Sequence, residues 1–125
     1  MKLRGTVEGA DCASCPLSSL GTPDKPVVGI GPEDPIFIVL GEGPGFNEVR
    51  QGQPFIGEPG KVLTAALKQL GISRDKVWIS NATLCHYKGA NDKLRKEAAR
   101  CCRGRLNKEL EQFPNKPVLI TGAVC

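Results

Sequence analysis

An α/β fold with a parallel sheet is predicted by three short apolar runs, the two amphipathic stretches that separate them, and the turn-prone residues at the run ends. The runs are residues 36 to 40 (Ile-Phe-Ile-Val-Leu), 77 to 79 (Val-Trp-Ile) and 118 to 120 (Val-Leu-Ile), each rich in β-branched or aromatic residues. Runs this short and this apolar read as buried parallel strands. Between the first two, residues 61 to 70 place Val62, Leu63, Ala66, Leu67 and Leu70 at helical spacing, with Gly71 as the stop. Between the last two, Leu94, Ala98, Cys102, Leu106, Leu110 and Phe113 recur at steps of four or three, which predicts a second amphipathic helix. Strand, helix, strand, helix, strand implies right-handed crossovers and a three-layer α/β/α arrangement.

At 125 residues the chain is one domain's worth. Residues 1 to 34 are rich in Gly, Pro, Ser and Asp and read as an irregular arm, and residues 35 to 125 as the α/β core. A hydrophobic fraction of 40% with 24% charged residues excludes a disordered chain or a coiled coil. No run approaches the roughly 18 apolar residues of a spanning helix, and the first residues lead into no apolar signal segment. A cytoplasmic protein without a membrane partner is expected. The sequence ends directly after the third strand, where an α/β protein ordinarily continues, so a fold truncated there and completed by another chain is also expected.

The net charge of +4 is unevenly spread. Residues 86 to 108 carry eight basic residues (Lys88, Lys93, Arg95, Lys96, Arg100, Arg103, Arg105, Lys108) against Asp92 and Glu97, a local balance of +6. The remainder, with nine basic and eleven acidic residues, stands at −2. A basic segment on a slightly acidic body suits a polyanion such as DNA; a solvated helix face is the plainer alternative.

Six cysteines in a reducing compartment point to a metal site rather than a disulfide framework. Cys12-x-x-Cys15 is a ligand pair, Cys85 follows the second strand, and Cys101 and Cys102 lie early in the second helix. Four thiolates suit zinc or an iron–sulfur cluster alike. Cys102 shares the apolar stripe, so Cys101 is the better fourth ligand, with Cys102 as the alternative.

The segment GEGPGFNEVRQGQPFIGEPG, residues 41 to 60, leaves the first strand and enters the crevice where open α/β sheets bind ligands. Gly41, Gly43 and Gly45 permit positive φ and close backbone approach, and Pro44 stiffens the turn. A structureless connection this long reads as a binding wall. Glu42 can orient or activate water, Phe55 can offer a face to a flat ligand, and Asn81 can pair with both a donor and an acceptor on a base edge.

In order, Cys12-x-x-Cys15-Pro16-Leu17, residues 41 to 60, Ser80-Asn81-Ala82-Thr83-Leu84-Cys85, Glu97-Ala98-Ala99-Arg100-Cys101 and Gly122-Ala123 resemble the family 4 uracil-DNA glycosylases, together with the phage DNA polymerase-like proteins that share the pattern. The resemblance implies a uracil-DNA glycosylase-like fold and excision of a flipped uracil from DNA. Glu42 then aligns with the carboxylate implicated in water activation, Phe55 with the aromatic that stacks on uracil, and Asn81 with the amide that reads it. Cys12, Cys15, Cys85 and Cys101 (or Cys102) align with the ligands of a [4Fe-4S] cluster. Val49, Gln53 and Gly43 depart from the family's usual Asp, Arg and Ala, and its histidine loop has no counterpart: the single histidine, His86, stands beside Cys85. A catalytically silent module that binds nucleic acid or a partner protein is therefore the alternative reading.

Overall fold

The computed structural model describes residues 8 to 16, 26 to 86 and 92 to 121. Three strands, β1 (Ile38–Gly41), β2 (Trp78–Asn81) and β3 (Val118–Ile120), form a parallel sheet in the order β2-β1-β3. Helices α1 (Phe46–Gln51) and α2 (Glu58–Gln69) and a 3₁₀ turn (Arg74–Lys76) connect β1 to β2, and α3 (Asp92–Glu111) precedes β3. Ile38 pairs with Trp78 on one side and Val118 on the other, so β1 is central.

Side chains alternate across a strand, and the two faces receive different helices. Val39, Val77 and Ile79 pack with Leu67 of α2, and Phe37, Phe55, Leu63 and Ile72 close that cluster. On the opposite face, Trp78 meets Phe113 at a ring-centroid separation of 5.0 Å and bonds Glu109 of α3. This is the predicted three-layer arrangement. The Gly71 stop is also as predicted: at φ +74 its N–H bonds Lys68 O and the next N–H bonds Leu67 O, satisfying the last carbonyls of α2.

Several sequence expectations need correction. The segment from 41 to 60 is not one long loop; α1 occupies its middle and α2 begins inside it. The stripe predicted for α2 is split, because a narrow sheet covers only one side of the helix. Leu67 is buried and Leu63 half-buried, whereas Val62 and Leu70 face outward. Within the arm, Ile30 forms an isolated antiparallel bridge with Ile79 and covers the outer edge of β2. On the other flank, Val118, Leu119 and Ile120 of β3 are exposed. Among the described residues no helix is long and apolar enough to cross a membrane.

Candidate functional site

Because Gly41 and Asn81 are in register, β1 and β2 end side by side. The pairing continues one step further: Ala82 N–H bonds Gly41 O at 2.8 Å, and Thr83 N–H bonds Glu42 O at 2.9 Å. A cavity of about 310 Å³ opens at these ends, and Gly41, Glu42, Gly43, Gly45, Phe55 and Asn81 all line it, with Glu48, Pro59 and Thr121. Pro44 is buried behind this lining, and its carbonyl accepts a bond from Nδ1 of His86 at 3.1 Å. Other cavities of about 360 and 520 Å³ contain none of the residues singled out from the sequence for chemistry.

Glycine is required at position 41 for space rather than for backbone freedom. A Cβ there would fall 2.5 Å from both Asn81 Oδ1 and Phe55 Cζ, so the ring and the amide meet over bare peptide. None of Gly41, Gly43 and Gly45 has positive φ, contrary to the expectation above; the left-handed residues of this segment are Gly52 and, unexpectedly, Phe55 at φ +55. A non-glycine residue in that region costs on the order of 1–3 kcal/mol and persists only where its surroundings hold it.

The holding groups are Glu48 and Arg74. Glu48 Oε2 accepts N–H bonds from Ile56 at 2.9 Å and Gly57 at 2.6 Å, while Oε1 accepts the Gly45 N–H at 3.1 Å. Arg74 Nη2 donates to Pro54 O at 2.7 Å. The residues flanking Phe55 are thus pinned on both sides, which fixes the ring over Gly41. Burial pushes the Glu48 carboxyl up, but the N–H groups of Gly57, Glu48 itself, Ile56 and Gly45 outweigh it and hold it below the ordinary carboxylate value. Neither residue was singled out from sequence. The signal for Glu48 was its position three residues after Gly45, the spacing of a helix-start carboxylate that reaches back to the preceding N–H.

Glu42 forms an ion pair with Arg95 of α3, and both side chains are partly shielded from solvent. Arg105 is buried, so it too is absent from the exposed basic face. Lys93, Lys96, Arg100, Arg103 and Lys108 are exposed along α3, and Lys88 lies outside the described residues.

The cysteines gather where residues 8 to 16 meet α3. Asp11 N–H bonds Cys101 O at 2.8 Å, Cys15 N–H bonds Cys12 O at 3.2 Å, and the thiols of Cys101 and Cys15 share a hydrogen bond. Burial, then the neighbouring thiols of Cys102, Cys15 and Cys12, push the Cys85 thiol up to about 11. Five sulfurs from three segments therefore sense one another. Cys102 is buried and Cys101 half-buried, as their places in the helix stripe predict. Among the described residues, no group of three or more His, Cys, Asp or Glu side chains is arranged to hold a metal ion. The donor set, all thiol, fits a thiolate-bound centre in kind.

The family model that matches the chain, over residues 28–125, is described as the uracil DNA glycosylase superfamily. The Type-4 uracil-DNA glycosylase of Thermotoga maritima is 38% identical over 90 residues, covering 72% of this chain and 46% of that protein. That of Archaeoglobus fulgidus is 34% identical over 72% of this chain and 44% of its own length. That of Sulfurisphaera tokodaii is 36% identical over 75% and 42%. The chain thus spans less than half the length of these relatives. With a parallel sheet between helices and a pocket at the strand ends, the chain belongs to the uracil DNA glycosylase superfamily.

Proposed function

We propose that this chain binds DNA in the cytoplasm and hydrolyses the N-glycosidic bond of uracil, the first step of base-excision repair. The observation that carries the reading is the convergence of a carboxylate, an aromatic ring and a carboxamide, those of Glu42, Phe55 and Asn81, on one cavity at the strand ends. The relatives named as uracil-DNA glycosylases support it.

Duplex DNA hides the bond to be cut, so the nucleotide must be rotated out, at a cost of a few kcal/mol. Stacking on Phe55 and a two-point hydrogen bond to the Asn81 amide offset that cost and select a pyrimidine edge. Water attacks the anomeric carbon as the carbon–nitrogen bond breaks, and the bonding pair leaves with the base. Glu42 orients the water, takes its proton, and opposes the positive character that develops on the sugar. Asn81 N–H and the glycine backbone stabilise the departing uracil anion. The exposed cations of α3 face the phosphates.

Cys12, Cys15, Cys85 and either Cys101 or Cys102 would hold a [4Fe-4S] cluster, with zinc as the alternative occupant of the same thiols. When bound, it supplies a structural crosslink between the arm, the segment after β2, and α3.

A second reading, a catalytically silent module that binds DNA, is favoured by one observation: the Glu42 carboxylate is engaged by Arg95. A single experiment separates the two. Uracil-containing single-stranded oligonucleotide is incubated with excess metal-loaded protein and abasic sites are counted. The first reading expects sites that vanish in Glu42→Ala while DNA binding remains. Absence of sites in the unaltered protein overturns it, and the second reading then expects binding that is steep in salt and indifferent to uracil.

A further inference from the structure

Among the described residues, backbone covers the outer edge of β2 and its continuation at Ile30 and Val27. Ile79 exchanges both of its hydrogen bonds with Ile30, at 2.9 Å each, and Leu84 O accepts the Val27 N–H at 2.7 Å. Between them Gly29 lies close against Ser80 and Glu109, and Val28 and Gly29 line the 360 Å³ cavity beside β2 together with Arg105 and Glu109. The carbonyls of Asn81 and Ala82 lie within reach of Arg105, which lines this cavity. The donor they find is a side chain: Arg105 Nη2 bonds Asn81 O at 2.8 Å and Ala82 O at 2.7 Å. Its Nη1 bonds Glu109 Oε1 at 2.6 Å, and Glu109 Oε2 accepts the Trp78 indole N–H at 2.6 Å. The side chains of Arg105 and Glu109 are only 5% and 10% exposed.

We propose that Arg105 is the positioning residue of the base-reading strand end, a guanidinium standing in for a missing neighbouring strand. It fixes the peptides on which Asn81 is carried, and hence where the Asn81 amide points over Gly41. The planar fork matters, because it serves two carbonyls and a carboxylate from fixed directions, which the single ammonium of lysine does not. Arg105 lies one helical turn after Cys101, so the same residue joins the base-reading edge to the cysteine-bearing helix. This inference rests on the reading of Asn81 as the amide that contacts the base.

Two measurements on the full chain test it, in the unaltered protein and in Arg105→Lys. The first is hydrogen exchange of the Ala82 and Thr83 amides, which bond Gly41 O and Glu42 O. Their exchange should quicken on the order of tenfold or more, while the Leu67 and Leu70 amides of α2 hold. Unchanged Ala82 and Thr83, or equal loss in α2, overturns the positioning role. The second is uracil excision, where kcat should fall on the order of tenfold or more with KM for DNA unchanged. A quickened exchange with unaltered kcat also overturns the inference. An unaltered protein that excises nothing defeats the glycosylase reading instead, and the exchange result then decides the positioning role by itself. Should Arg105→Lys not fold, Glu109→Gln, which removes the counter-charge, should quicken the same two amides severalfold; no change overturns the inference.

Discussion

The segment from Gly41 to Gly60 and the cysteine-bearing end stand within one small fold and are held in opposite ways. The first is fixed by the protein's own hydrogen bonds: Glu48 takes three N–H groups and Arg74 holds Pro54, so that even a left-handed Phe55 is sustained. At the second, backbone bonds from Asp11 to Cys101 and from Cys15 to Cys12, close packing of Gly9 on Gly104 and an exposed Glu8–Lys108 pair of 3.6 Å are among the contacts of the arm, and among the described residues the side chains close no metal-binding group. The pocket wall is therefore held by side chains of the fold itself, whereas on the proposed function the cysteine end is held by the centre its thiols would bind.

Metal removal gives the largest expected contrast. On the proposed function, chelation or oxidative loss of the proposed thiolate centre should raise exchange of the Asp11 amide on the order of a hundredfold and open residues 8 to 16 to protease. The Ile56 and Gly57 amides should change by less than about threefold. Equal loss at both ends would abolish the distinction. Next in size is Glu48→Ala, which orphans three N–H groups and should lower stability by about 3 kcal/mol in urea denaturation. Glu48→Gln, which keeps an acceptor oxygen, should lose less.

The acid limb of the stability curve sharpens the same point. Because the Glu48 carboxyl is held below its ordinary value, its contribution is fully present above the ordinary carboxylate range. It is lost as pH falls through the depressed value. Stability measured from neutral pH downward should therefore fall less steeply in Glu48→Gln than in the unaltered chain, and parallel curves would show that the clamp does not titrate. The smallest effect belongs to the pair Lys61–Glu58, 3.2 Å apart and open to solvent; Lys61→Ala should alter stability by less than about 0.5 kcal/mol.

What was legible in the sequence follows from periodicity. The strands and two long helices announce themselves through apolar spacing, and their ends lie within a few residues of expectation. Glu42, Phe55 and Asn81 stood out by their chemistry and their place at the strand ends, the resemblance gave them roles, and the structure brings them to one cavity. Helix α1 was invisible because six residues starting at a glycine cap carry too little pattern to stand out from a loop. Glu48 and Arg105 were missed for another reason. Each is a charged residue whose work begins only when distant backbone closes around it, and in the sequence Arg105 counts merely as one more cation in a basic stretch. The polar groups that shape this fold are set by chain closure, which local spacing does not encode.

Trp78 is the chain's single tryptophan. Its indole sits on Phe113, and its N–H ends the chain of bonds that begins at the Asn81 carbonyl. The protein thereby carries a native optical gauge at the joint between sheet and helix. Emission colour and lifetime will report displacement of that joint without any label being attached.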